Sequence, residues 1–75
     1  MSGIRTHYYS SGVQEFEVET RDDVHKLPTC IRSGLDEFSS YGPAALGSSV
    51  LIISEAVVLK LRSDGQWKEM GENGQ

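Results

Sequence analysis

The sequence predicts a mainly β domain, a small α+β fold of antiparallel hairpins or a meander with about 4–5 strands. Three observations lead there. Val50-Leu51-Ile52-Ile53 and Val57-Val58-Leu59 are short β-branched and aliphatic runs bounded by polar residues, too short for a typical helix. Asp64-Gly65 is the pair that a two-residue type I′ hairpin turn prefers, because both central residues need φ > 0. From Ile4 to Thr20 a second hairpin pattern gathers apolar residues on one face and complementary charges on the other.

The stretch from Gly47 to Met70 organises the rest. A tight turn at Asp64-Gly65 sets Arg62 opposite Trp67, a cation–π geometry. It also sets Lys60 opposite Glu69, a charge match worth about 0.2–1 kcal/mol. A three-residue loop Ser63-Asp64-Gly65 sets Lys60 against Lys68 instead, so the tight turn is favoured. With Ser54-Glu55 as the preceding turn, Ile52 faces Val57 and Val50 faces Leu59. One sheet face then carries Val50, Ile52, Val57, Leu59, Leu61 and Met70. The other carries Leu51, Ile53, Val58 and Trp67 among Lys60 and Arg62. A sheet with one wet face alternates cleanly. This second face does not, so it requires a cover from the rest of the chain or from another chain.

In the first hairpin, a three-residue loop Ser10-Ser11-Gly12 puts Gly12 in the left-handed position such loops need. Arg5 then meets Glu17 and His7 meets Glu15, while Ile4, Thr6 and Tyr8 meet Val18, Phe16 and Gln14. Thr20 to Asp23 loosely matches a capping box, with Asp22 an equally good N-cap. One short helix near 22–27 follows, with Val24 and Leu27 inward, and Pro28 ends it. The connection 29–46 is long and carries Leu35, Phe38, Tyr41 and Leu46, too apolar for a linker. Ser33 is a candidate cap for a single turn there. Such segments tend to be functional, and this one is expected to cross the open sheet face or reach a neighbour. Residues 1–75 read as a single small domain, with 71–75 a frayed tail.

Size limits what the chain can do alone. A chain of 75 residues supplies only about 3–5 kcal/mol of net core stability. With one cysteine there is no internal disulfide, and no Cys/His cluster has zinc spacing. Oligomerisation or docking on a larger assembly remains as the staple. Eleven acidic against seven basic residues give a net charge of −4, with no Lys/Arg cluster, which argues against nucleic acid. No apolar run has the length of a membrane span, and the start of the chain lacks a signal-peptide pattern. A lone thiol fits a reducing cytoplasm.

Asp22, Asp23, His25 and Cys30 come nearest to a metal or thiol site, but a cap, a surface histidine and a small buried thiol account for them. Glu15, Glu17 and Glu19 share one strand face by period-2 spacing, as a solvated edge-protecting face does. No phosphate-binding glycine pattern and no nucleophile with an orienting partner is present. The expectation is a non-enzyme with no cofactor, catalytic residue or metal. Its candidate protein interface is Leu35, Phe38, Tyr41, Leu51, Ile53, Val58 and Trp67.

An acidic turn (Asp22, Asp23) runs into Leu27-Pro28-Thr29. Gly47-Ser48, the apolar strand Val50 to Ile53, a second strand Val57 to Leu61, and Asp64-Gly65-Gln66-Trp67 follow. This order resembles a pattern in small virion proteins of tailed bacteriophages. The resemblance implies a structural component of the particle, of head-decoration, head-fibre or tail-associated type, made in the bacterial cytoplasm and acting by self-association or by joining the virion. The alternative is a small acidic cytoplasmic inhibitor or adaptor that binds a host protein.

Overall fold

A computed structural model of the chain describes residues 3–69; Met70 and the expected 71–75 tail lie outside them. Five strands form one sheet: β1 (Gly3–Tyr8), β2 (Gln14–Val18), β3 (Ser49–Ile52), β4 (Val57–Leu61) and β5 (Trp67–Glu69), side by side in chain order. The mainly β class and the strand number are as expected. The arrangement is mixed rather than wholly antiparallel, because β2 and β3 run parallel. A parallel pair needs a long crossover, and residues 19–48 supply it.

Both tight hairpins use one loop design. In the first, the Gly12 N–H donates to Tyr9 O and the Tyr9 N–H to Val13 O, each at 2.9 Å. In the second, Gly65 donates to Arg62 O and Arg62 to Gln66 O, again at 2.9 Å. Gly12 and Gly65 have φ of 94° and 80°, the left-handed residue that follows a type I turn in a three-residue loop. For Ser10-Ser11-Gly12 this is the expected loop. For Ser63-Asp64-Gly65 it corrects the two-residue turn. Lys60 lies opposite Lys68, Leu61 opposite Trp67 and Leu59 opposite Glu69. Trp67 therefore faces the core, not Arg62.

The register of β3 and β4 is the expected one, with Ile52 opposite Val57 and Val50 opposite Leu59. In the first hairpin His7 meets Glu15 and Tyr8 meets Gln14 as expected, but a bulge intervenes at Thr6. The Thr6 hydroxyl donates to Glu15 O at 3.2 Å. Beyond it the pairing slips by one, so Arg5 faces Phe16 and Ile4 faces Glu17. The expected Arg5–Glu17 and Ile4–Val18 pairs do not form.

Thr20 is the N-cap of a 3₁₀ helix, Arg21–Lys26, and is extended at φ −133° and ψ 162°. Asp23 closes the cap, its Oδ2 accepting from the Thr20 hydroxyl at 3.1 Å and the Thr20 N–H at 3.4 Å. Pro28 stops the helix as expected. The turn in the crossover is a second 3₁₀ helix, Asp36–Phe38, capped by Leu35 rather than Ser33. The Leu35 N–H donates to Lys26 O at 2.8 Å. The Lys26 ammonium lies between Asp23 (3.5 Å) and Glu37 (3.4 Å). Burial lowers its pKa, but the two carboxylates outweigh that and raise it above the ordinary value.

The core lies between the sheet and the crossover. Phe16, Val18, Val50, Ile52 and Leu59 from the sheet meet Leu27 and Phe38, with Val24, Tyr41 and Trp67 packed around them. Phe16 is the hub, its ring centroid 5.7 Å from Phe38, 5.9 Å from Tyr41 and 6.2 Å from Trp67. The Phe38 and Trp67 rings meet Phe16 edge to face, the arrangement the ring quadrupoles favour. The crossover is tied down by buried Gln14, whose backbone N–H donates to Ser48 Oγ at 3.0 Å and whose side chain donates to Gly42 O at 3.2 Å.

Candidate interaction surfaces

Strand pleating sends alternate residues to opposite sides, so the residues not in the core define an outer face. One row across it runs Ile4, Glu17, Leu51, Val58; the next runs His7, Glu15, Ser49, Lys60, Lys68. Ile4 is 48% and Val58 40% exposed, with Leu51 half-buried between them. Ile53, 53% exposed, follows at the end of β3. The charges are segregated. Glu15 and Glu17 stand on β2, whereas Lys60 and Lys68 stand on β4 and β5. Tyr9 donates its hydroxyl to Glu15 at 3.1 Å; this hydrogen bond and the carboxylate charge hold the phenol above its usual pKa.

The structure divides the residues expected to form an interface. Leu51, Ile53 and Val58 belong to the outer side. Phe38 is fully buried, and Tyr41 and Trp67 pack against the core. Leu35 is exposed on the crossover. The crossover does not cover the outer face, because its apolar side chains meet Phe16 on the other side of the sheet. Arg5, swung inward by the bulge, lies over the Tyr41 ring with its Cζ 4.2 Å from the centroid.

A cleft on the other side of the sheet was not anticipated. Between the first 3₁₀ helix, the Thr29–Arg32 bridge and the β4–β5 hairpin lies a cleft of about 400 Å³. Arg21, His25 and Arg32 line it along with Val24, Leu59 and Trp67. Glu55 grips Arg21 with two hydrogen bonds of 2.6 and 3.2 Å, and this holds the Glu55 carboxyl below its ordinary pKa. Arg32 donates to Ser33 O at 3.3 Å and His25 O at 3.2 Å. Sequence reasoning missed the cleft because its other wall, Leu59 and Trp67, comes from strands far in sequence from Arg21, His25 and Arg32.

Asp22, Asp23, His25 and Cys30 do not assemble into a centre. Asp23 serves the cap and Lys26, the His25 ring lies against the Asp22 carbonyl, and Cys30 is a half-buried free thiol. Among the described residues no group of His, Cys, Asp and Glu has metal-holding geometry, and no helix is long and apolar enough to cross a membrane. Comparison with known proteins finds no matching family model, no matching curated protein and no matching solved structure.

Proposed function

We propose that this chain is a non-enzymatic assembly component acting through protein–protein contacts at its outer sheet face. The resemblance running from Asp22 to Trp67 supports a tailed-phage particle as the setting. The observation that carries the contact reading is the outer face itself. It exposes Ile4, Ile53 and Val58 around half-buried Leu51, with acid on β2 and base on β4 and β5. Opposite charges so placed are complementary under a two-fold rotation, so a second copy can set Glu15 and Glu17 against Lys60 and Lys68. Such isologous contacts are the commonest in symmetric assemblies. They also supply the burial that a domain of this size lacks.

Sedimentation of the wild type and of Val58→Glu, with thermal melts beside it, tests the contact. The expected result is association of the wild type and at least tenfold weaker association of the variant, with little change in protomer melting. Mass spectrometry of purified particles tests the setting. A wild type that stays monomeric at high concentration and is absent from any particle overturns the proposal.

A further inference from the structure

The cleft on the core side of the sheet has the opposite character to the rest of the molecule. The chain carries 11 acidic and 7 basic residues, yet the lining holds Arg21, His25 and Arg32 and no carboxylate. We propose that this cleft binds a carboxylate carried on an apolar body, with Arg32 as the partner of the anion and the Trp67 indole as the wall for the body.

The two guanidinium groups are not equivalent. Arg21 is already engaged by Glu55, and Glu69 also acts on its charge. Arg32 has no acidic partner among the described residues. Its two hydrogen bonds go to backbone carbonyls, which orient the guanidinium without neutralising it. A guanidinium fork held this way suits a carboxylate.

The indole is the second observation. Trp67 Nε1 is sheltered from solvent and has no hydrogen-bond partner among the described residues. Buried indole N–H groups are normally satisfied, and an orphan calls for an explanation. This nitrogen is closed off, so it is the rest of the indole that lines the cleft. Val24 and Leu59 complete an apolar wall around it. The volume lies within the range of about 300–1,000 Å³ usual for small-ligand sites.

Two sources share this chemistry: a free small acid, and the terminal residue of a peptide. Ile31 separates them, since it stands 84% exposed at the tip of the turn that carries Arg32. A longer ligand can lie along it, whereas a small acid inside the cleft does not reach it.

Trp67 is the sole tryptophan, so its fluorescence reports on the cleft directly. The full chain is titrated with 3-phenylpropionate and with its neutral amide. Acetylated tripeptides ending in phenylalanine, with free or amidated C-termini, form the second arm. The acids are expected to saturate and to bind at least tenfold more tightly than the amides. Arg32→Gln should weaken the acids about tenfold and leave the amides unchanged, as loss of a charge-assisted pair does. Arg32→Lys should fall between. Glu55→Gln, by releasing Arg21, should tighten the acids. Arg62→Gln removes one positive charge from an exposed position outside the cleft lining and should change nothing. A free peptide acid that outbinds phenylpropionate and is weakened by Ile31→Ser identifies a peptide terminus; equal binding, indifferent to Ile31, identifies a small acid. Acids and amides that bind alike, no saturation by about 10 mM, or equal weakening by Arg32→Gln and Arg62→Gln overturns the proposal.

Discussion

Lys60 and Lys68 stand directly opposite each other on the outer face of β4 and β5. Like charges in that position repel, and the two ammonium groups part. Lys60 donates to Gly47 O at 3.2 Å, and Lys68 pairs with Asp64 at 3.2 Å. Loop geometry sets the pairing, since the same register puts Leu61 and Trp67 together on the buried side.

Replacing Lys60 with glutamate turns the repulsive pair into an attractive one. Lys60→Glu is expected to stabilise the protomer by roughly 0.2–1 kcal/mol at low salt, less whatever its bond to Gly47 contributes. The gain should shrink as salt screens it. Urea melts at two ionic strengths measure it, and a salt-independent loss of stability counts against this account of the hairpin.

Phe38 is seated between two glycines. A Cβ on Gly3 would lie 2.7 Å from Phe38 Cζ, and one on Gly34 would lie 2.7 Å from Phe38 Cβ and collide with the Phe38 carbonyl oxygen. Phe38→Ala should cost about 3–5 kcal/mol. That equals the net stability of about 3–5 kcal/mol open to a core this small, so cooperative unfolding should vanish. Gly34→Ala should also destabilise, because backbone atoms cannot step aside as a ring can. Thermal melts followed by circular dichroism decide; an unchanged midpoint in either variant contradicts this seating.

The Arg21–Glu55 pair gives a pH dependence. The hydrogen bond from Arg21 holds the Glu55 carboxyl below its ordinary value of 4.5. A depressed carboxylate pKa stabilises the fold above the unfolded value, and that contribution fades as pH falls through the folded value. Glu55→Gln should therefore be less stable than the wild type at pH 7 and should converge with it well below 4.5. Both groups are exposed, so the difference should be small and should diminish in salt. A difference that persists at the acid end rules out ionisation as its source.

Local segments were legible where neighbours in sequence decide the outcome. Thr20, Asp23 and Pro28 bound the first 3₁₀ helix by capping and by proline sterics. Gly12 marks its loop because only a left-handed residue completes it. Val50, Ile52, Val57 and Leu59 give the register of β3 and β4 through alternation. The Gly65 loop is the exception: Ser63-Asp64-Gly65 repeats the form of Ser10-Ser11-Gly12, yet a two-residue turn was expected there. Charge matching pointed the other way, but a cross-strand ion pair contributes tenths of a kilocalorie whereas burying a large aromatic is worth several times more.

The sequence by itself determined the strands, the turns and the apolar stripe that becomes the core. Tertiary structure alone decided which side of the sheet each flanking residue joins. A shift of one residue exchanges the faces of a strand: the slip at Thr6 moves Arg5 inward, and the Gly65 loop moves Trp67 from the outer face to the core. The crossover then chooses the side of the sheet that Phe16 offers to Phe38, and Leu51 and Val58 stay on the outer face. In the same step Leu59 and Trp67 come against the segment that carries Arg21, His25 and Arg32 to form one cleft. No local rule anticipates that meeting, because pairing and packing bring together residues that covalent order keeps apart.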